Sequence, residues 1–217
     1  MIAHGRWPTV HNVFVPDCGP YPKPMEKFEI NTEALGPLTD DEFFHFCRTN
    51  DHLRIERDAQ QNIIVMAPAG SYSGNRNFDI GTDFGIWNRK HRKGYCFDSS
   101  AGFKLPNGAT RSPDVAFILK DRWEALSVDE QEKFAPICPD FVLELRSRTD
   151  SLADLQSKMQ EYLSNGAAFG WLIDPYERRV YVYDTQQSVA VHDNFSQPLR
   201  GRYFMSDFEI VLANVLN

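Results

Sequence analysis

The hydrophobic pattern of the chain changes period several times, and each change predicts an element. Residues 38–50 (LTDDEFFHFCRTN) set Thr39 three positions before Glu42, the spacing of a helix-opening capping box, and continue with an apolar face. LRIER at 53–57 and NIIVMAP at 62–68 flank the turn-like DAQQ and read as a β-hairpin. From 75 to 91, Phe78, Gly81, Phe84 and Trp87 recur at helical spacing, which predicts a long helix with its aromatics in the core, ending near Gly94. YCFDSS and GFKLP read as short strands, and the turn PNGA feeds an apolar strand over 113–119. Polar helical sequence occupies 121–126, and Ser127 with Glu130 then repeats the capping-box spacing.

The next block reads as a strand over 141–146, a helix over 151–165 closed by Gly166, the strand FGWLID, the turn PYERR and the strand VYVYD. Strand, helix and strand joined by short links predict a right-handed crossover between parallel neighbours. The expected fold class is therefore mixed α/β, a central mixed sheet flanked by helices. Residues 1–37, with prolines from Pro8 to Pro24, read as an extended arm that wraps the domain or mediates assembly, ahead of a single domain over 38–217.

Composition narrows the function classes. With 217 residues and 42% hydrophobic positions the chain can bury a full core without staples. Cys18, Cys47, Cys96 and Cys138 form no C-x-x-C pair, which speaks for reduced cysteines in a cytoplasmic protein and against a zinc site. No charged n-region precedes an apolar stretch and no apolar run reaches membrane-spanning length, so neither export nor membrane insertion is expected. The net charge of −7 argues against a surface that coats nucleic acid, yet between Arg76 and Arg111 seven basic residues face three acidic ones. Arg76, Arg89, Lys90, Arg92 and Lys93 are the candidate DNA contacts there, with a solvated helix end as the plainer account of the RKHRK run.

Two positions depart from the apolar pattern. Asp114 and Glu144 stand in strands where folding alone calls for Val or Ile, and an unpaired buried carboxylate costs several kcal/mol or stays protonated. Salt bridges would compensate, from Asp114 to Arg111 or from Glu144 to Arg146 or Arg148. So would a divalent cation, Mg²⁺ or Mn²⁺, held between Asp114 and Glu144, since such ions prefer carboxylate, carbonyl and water oxygens. The six histidines show no metal-ligand spacing, G-x-S-x-G is absent, and PAGSYSG lacks the lysine of a phosphate-binding loop.

The order of these elements chooses between the accounts. A strand bearing Asp, a strand bearing Glu-x-basic, then a crossover helix resembles the PD-(D/E)XK nuclease superfamily. LPNGATRSPDVAFI, CPDFVLELRSRTDSLADLQSKMQEYLSNGAAFGWLIDP and RIERDAQQNIIVMAP together resemble the restriction-endonuclease-like family that many prokaryotic genomes carry in numerous copies. The resemblance implies a restriction-endonuclease-like fold, a metal at Asp114 and Glu144, a catalytic lysine, DNA as substrate and a homodimer. In the superfamily's lysine position stands Arg146, which cannot exchange a proton with water at neutral pH. Lys158, on the edge of the helix stripe formed by Leu155, Met159, Tyr162 and Leu163, is the candidate substitute, and snorkelling to solvent is its alternative. Glu56 is implied to adjoin the active site, against an exposed strand position paired with Arg54 or Arg57. A non-catalytic DNA- or protein-binding module with the same fold is the competing function.

Overall fold

The computed structural model describes residues 27–31 and 36–216. In chain order the elements are β1 (Lys27–Ile30), α1 (Asp40–Thr49), β2 (Arg54–Arg57), β3 (Ile63–Met66), α2 (Ser71–His91), β4 (Gly94–Asp98), β5 (Phe103–Lys104), β6 (Thr110–Arg111) and β7 (Val115–Leu119). They continue with α3 (Lys120–Glu124), α4 (Val128–Glu132), β8 (Phe141–Leu145), α5 (Leu152–Ser164), β9 (Phe169–Asp174), β10 (Arg179–Asp184), β11 (Gln187–His192), β12 (Leu199–Arg200), a 3₁₀ turn (Tyr203–Met205), β13 (Glu209–Ile210) and α6 (Leu212–Val215).

Local chemistry sets the boundaries. Thr39 and Glu42 form the expected capping box at α1, and Ser127 and Glu130 form another at α4. α2 opens at Ser71, four residues before the sequence suggests, and stops where Arg92 takes a left-handed conformation at φ 51°. Ser151 caps α5 by accepting from the Asp154 N–H, and Gly166, at φ +113°, provides the turn into β9 that a side chain would resist.

Six strands form the central sheet in the order β11-β10-β9-β8-β7-β4, with β8 and β9 parallel and the other neighbours antiparallel. The parallel pair joined through α5 is the crossover predicted from sequence. One face, with Val115, Phe117, Phe141, Leu143 and Trp171, is covered by Ile80, Phe84 and Trp87 of α2 and by Phe208 and Leu212 near the C-terminus. Phe78 departs from expectation: it is 72% exposed, and Ile80 fills the stripe in its place. The opposite face packs Val142 and Leu172 against Met159 and Tyr162 of α5. Beside it stands a second sheet, ordered β1-β3-β2-β6-β5, built on the predicted hairpin.

β1 lies inside the proline-rich arm and pairs antiparallel with β3, whereas Pro8 to Pro24 fall outside the described residues. Cys47, Cys96 and Cys138 are free thiols, and among the described residues no helix is long and apolar enough to cross a membrane.

The seating of α5 on the central sheet depends on Gly170 in β9. A Cβ there would lie 2.5 Å from Met159 Cε and 2.9 Å from the Val142 carbonyl oxygen, and the latter, being backbone, cannot swing away. Gly170→Ala is expected to lower unfolding free energy by ~1–3 kcal/mol through overpacking, read as a shift of the urea midpoint at unchanged m-value.

Candidate active site

The antiparallel register of β7 and β8 brings the two anomalous carboxylates together. Val115 faces Leu143 and Ala116 faces Val142, so the same register carried one step further sets Asp114 opposite Glu144, their side chains on the α5 face. Asp114 lies inside the strand that the sequence suggests over 113–119 but stands one residue ahead of the observed β7, and both its oxygens have donors. Leu145 N–H donates to Oδ2 at 2.8 Å and Asn77 Nδ2, from α2, donates to Oδ1 at 3.0 Å. Among the described residues the buried Asn77 Oδ1 finds no hydrogen-bond partner.

Glu144 is buried, and α5 supplies its partners. Tyr162 Oη donates to Oε1 at 3.1 Å, and Lys158 Nζ lies 3.0 Å from the same oxygen. Lys158 also donates to Glu56 Oε1 at 2.8 Å, so one ammonium bridges β8 to β2 of the second sheet. Glu56 is 2% exposed and accepts further from Ser112 N–H at 2.9 Å and Arg111 Nη1 at 3.2 Å. Arg111 returns to α5 through Nε, which donates to Glu161 Oε2 at 2.6 Å.

This arrangement sorts the charges. Burial would raise the Glu56 proton affinity, but Lys158, Arg111 and the Ser112 N–H outweigh it, and its carboxyl stays below the ordinary range. Burial opposes charge on Lys158, yet Glu144 and Glu56 hold its proton more firmly than usual. Burial, with Asp114 and Glu56 nearby, pushes the Glu144 carboxyl up to about 7 in spite of Lys158. Asp114 is likewise raised by burial, against the pull of the Leu145 N–H, Lys158 and Arg54.

Among the described residues no three of His, Cys, Asp and Glu gather closely enough to make a metal centre from protein ligands alone. The chain therefore offers a pair of carboxylates with hard oxygen donors, both protein donors to Glu144 ending on Oε1. That set fits Mg²⁺ or Mn²⁺, which bind through one or two carboxylates and keep several waters or phosphate oxygens, and it does not fit zinc.

The Uma2 family model, described as putative restriction endonuclease, matches residues 40–212. The chain belongs to this family. A solved structure titled a putative nuclease belonging to DUF820, from Anabaena variabilis, resembles it with a TM-score of 0.69 at 21% identity, covering 83% of this chain and 98% of that one. At that identity the likeness speaks for the fold, which is mixed α/β as the sequence led one to expect. No curated protein matches the chain.

Within this Uma2 chain the candidate residues Asp114, Glu144, Lys158 and Glu56 converge on one cluster. None of the salt bridges considered from sequence for the two strand acids forms. Arg111 pairs with Glu56 and Glu161, and Arg146 sends Nη1 to Asp174 at 2.7 Å and Nε to the Asp150 carbonyl. Arg148 lies against the Tyr176 ring. Glu56 is neither exposed nor paired with Arg54 or Arg57, and Lys158 turns inward instead of snorkelling. Asn77 and Glu161 also belong to the cluster and were missed, whereas Arg111 entered the sequence reading only as a partner for Asp114 and Tyr162 only as part of the buried stripe. Glu56 lies within β2 and Arg111 ends β6, so their pairing depends on the β2–β6 register, which the sequence does not state.

The basic candidates divide. Arg76 is buried and donates to Tyr72 Oη and the Leu216 carbonyl, facing away from solvent. Lys93 is tied to Asp207 and the Phe204 carbonyl. Arg89, Lys90 and Arg92 are exposed, Arg89 about 18 Å from Asn77 along α2 at 1.5 Å per residue and Arg92 just past the helix end.

The Glu144 shift has a pH signature. Between the ordinary 4.5 and about 7 the metal-free native state keeps a proton that the unfolded chain has released. Stability contributed by Glu144 is thus complete below 4.5 and is lost as pH rises toward about 7. Glu144→Gln should remove this slope, so that the melting temperature of the variant minus that of the wild type grows from pH 5 to pH 7 in chelator. A constant difference would contradict the assignment.

Proposed function

We propose that the chain is a divalent-metal-dependent endonuclease that hydrolyses DNA phosphodiester bonds at Asp114, Glu144 and Lys158. The observation that carries this reading is the Lys158 ammonium 3.0 Å from Glu144, reached from a helix because Arg146 is engaged with Asp174. Family membership supports it, as does the pairing of Asp114 with Glu144 across adjacent strands.

Asp114 and Glu144 would hold Mg²⁺ or Mn²⁺, which lowers the pKa of bound water and offsets phosphate charge. Lys158 keeps its proton, so its part is to donate: it orients the attacking water and stabilises negative charge on the phosphate. It is no base. Glu56, charged and fixed by Arg111 and the Ser112 N–H, holds the ammonium in place. Tyr162 occupies Glu144 Oε1 and leaves Oε2 for ligand. Exposed Arg89, Lys90 and Arg92 would meet the DNA backbone, and a homodimer would supply two sites for two strands.

Plasmid DNA with Mn²⁺ or Mg²⁺ tests the reading. Wild-type protein is expected to nick or linearise it, and Asp114→Asn and Lys158→Met to be about 100- to 1,000-fold slower at a temperature where they are folded. Arg146→Met should lose ~1–3 kcal/mol of stability by unpairing Asp174 and keep turnover within a few-fold. Metal binding without any cleavage would make the chain a binding module of the same fold, and equal loss in Arg146→Met would return the lysine role to position 146.

A further inference from the structure

Helix α2 directs two asparagines from one flank toward the central sheet. Asn77 and Asn88 are eleven residues apart in sequence, close to three full turns, so they share a stripe. Asn88 is fully used: Nδ2 donates to the Gly94 carbonyl at 2.8 Å and the Gly94 N–H donates to Oδ1 at 3.3 Å. It staples the end of the helix to β4. Asn77 is half used, its Nδ2 donating to Asp114 Oδ1 at 3.0 Å while its buried Oδ1 has no partner among the described residues.

Reversing the amide would set Asn77 Oδ1 against a carboxylate oxygen, so Asp114 itself dictates the orientation and the leftover group is an acceptor. A buried acceptor left without a donor is unfavourable by ~1–3 kcal/mol, and native structures rarely keep one without a use. It sits on the same planar amide that touches a carboxylate of the cluster. Each Asp114 oxygen takes one protein donor and retains a lone pair.

Resting on the reading that Asp114 and Glu144 hold a divalent cation, we propose that Asn77 is a positioning residue of that centre. Its Nδ2 fixes the Asp114 carboxylate, and its Oδ1 accepts a hydrogen bond from a water of the ion's hydration shell. The missing donor then arrives with the ion. A centre with two carboxylates retains several waters, and each must be oriented by the chain or left to tumble.

The test is Mn²⁺ titration of the full chain without DNA, followed by electron paramagnetic resonance of the free ion. Asn77→Leu, which keeps the volume and removes both polar groups, is expected to weaken Mn²⁺ binding 10- to 100-fold. Asn88→Leu, the purely structural counterpart, should lower the melting temperature and leave the dissociation constant within twofold. Should Asn77→Leu fail to fold, Asn77→Ser, too short to reach Asp114, carries the same expectation. Wild-type affinity in the folded Asn77 variant overturns the positioning role while the nuclease reading stands. A wild-type chain that takes up no Mn²⁺ overturns both.

Discussion

A single buried ammonium organises the centre of this protein. Lys158 lies between Glu56 of the second sheet and Glu144 of the central sheet, and among the described residues no other cation meets both acids. Removing one partner from a buried ion pair leaves an uncompensated charge, at a cost of about 3–5 kcal/mol. The position of α5, the spacing of the two sheets and the protonation of Glu144 are therefore coupled. Glu161 follows Lys158 by three residues, so the same helix face carries an anion to Arg111. The helix is held to the second sheet by charges of both signs, which fixes its rotation as well as its distance.

Much of the fold was legible because its signals are local. Thr39 and Glu42 announce α1, Ser127 and Glu130 announce α4, and the apolar runs around Phe141 and Phe169 announce buried parallel neighbours. Phe78 misled because helical spacing identifies a stripe without saying which neighbouring residue leads it, and Ile80, two positions on, was the buried one. The late strands β11, β12 and β13 escaped because their side chains are mostly exposed or the strands are two residues long. They carry little hydrophobic periodicity to read.

The candidate site was legible in three acids and a lysine and illegible in its pairings. Asp114 and Glu144 stood out as acids inside apolar runs, a conflict between local pattern and burial that marks a site more often than a fold. Which cation met which acid depended on tertiary register: Arg111 was nearest Asp114 in sequence but reached Glu56, and Arg146 was nearest Glu144 but reached Asp174. Asn77 had no signal at all, because an asparagine on the flank of a polar-rich helix reads as solvent-facing.

The register that joins Asp114 to Glu144 has a consequence for biogenesis. Glu56 and Lys158 are 102 residues apart, Asn77 and Asp114 are 37 apart, and Asp114 is 31 from the Leu145 amide that orients it. Neither the N-terminal nor the C-terminal half of the chain contains the whole cluster, and loop closure over such spans is compensated only when the strands that carry it have assembled. A chain that has not yet brought β2, α2, β7, β8 and α5 together thus carries scattered acids and a lysine, and whatever chemistry the site performs is withheld until those five elements have met.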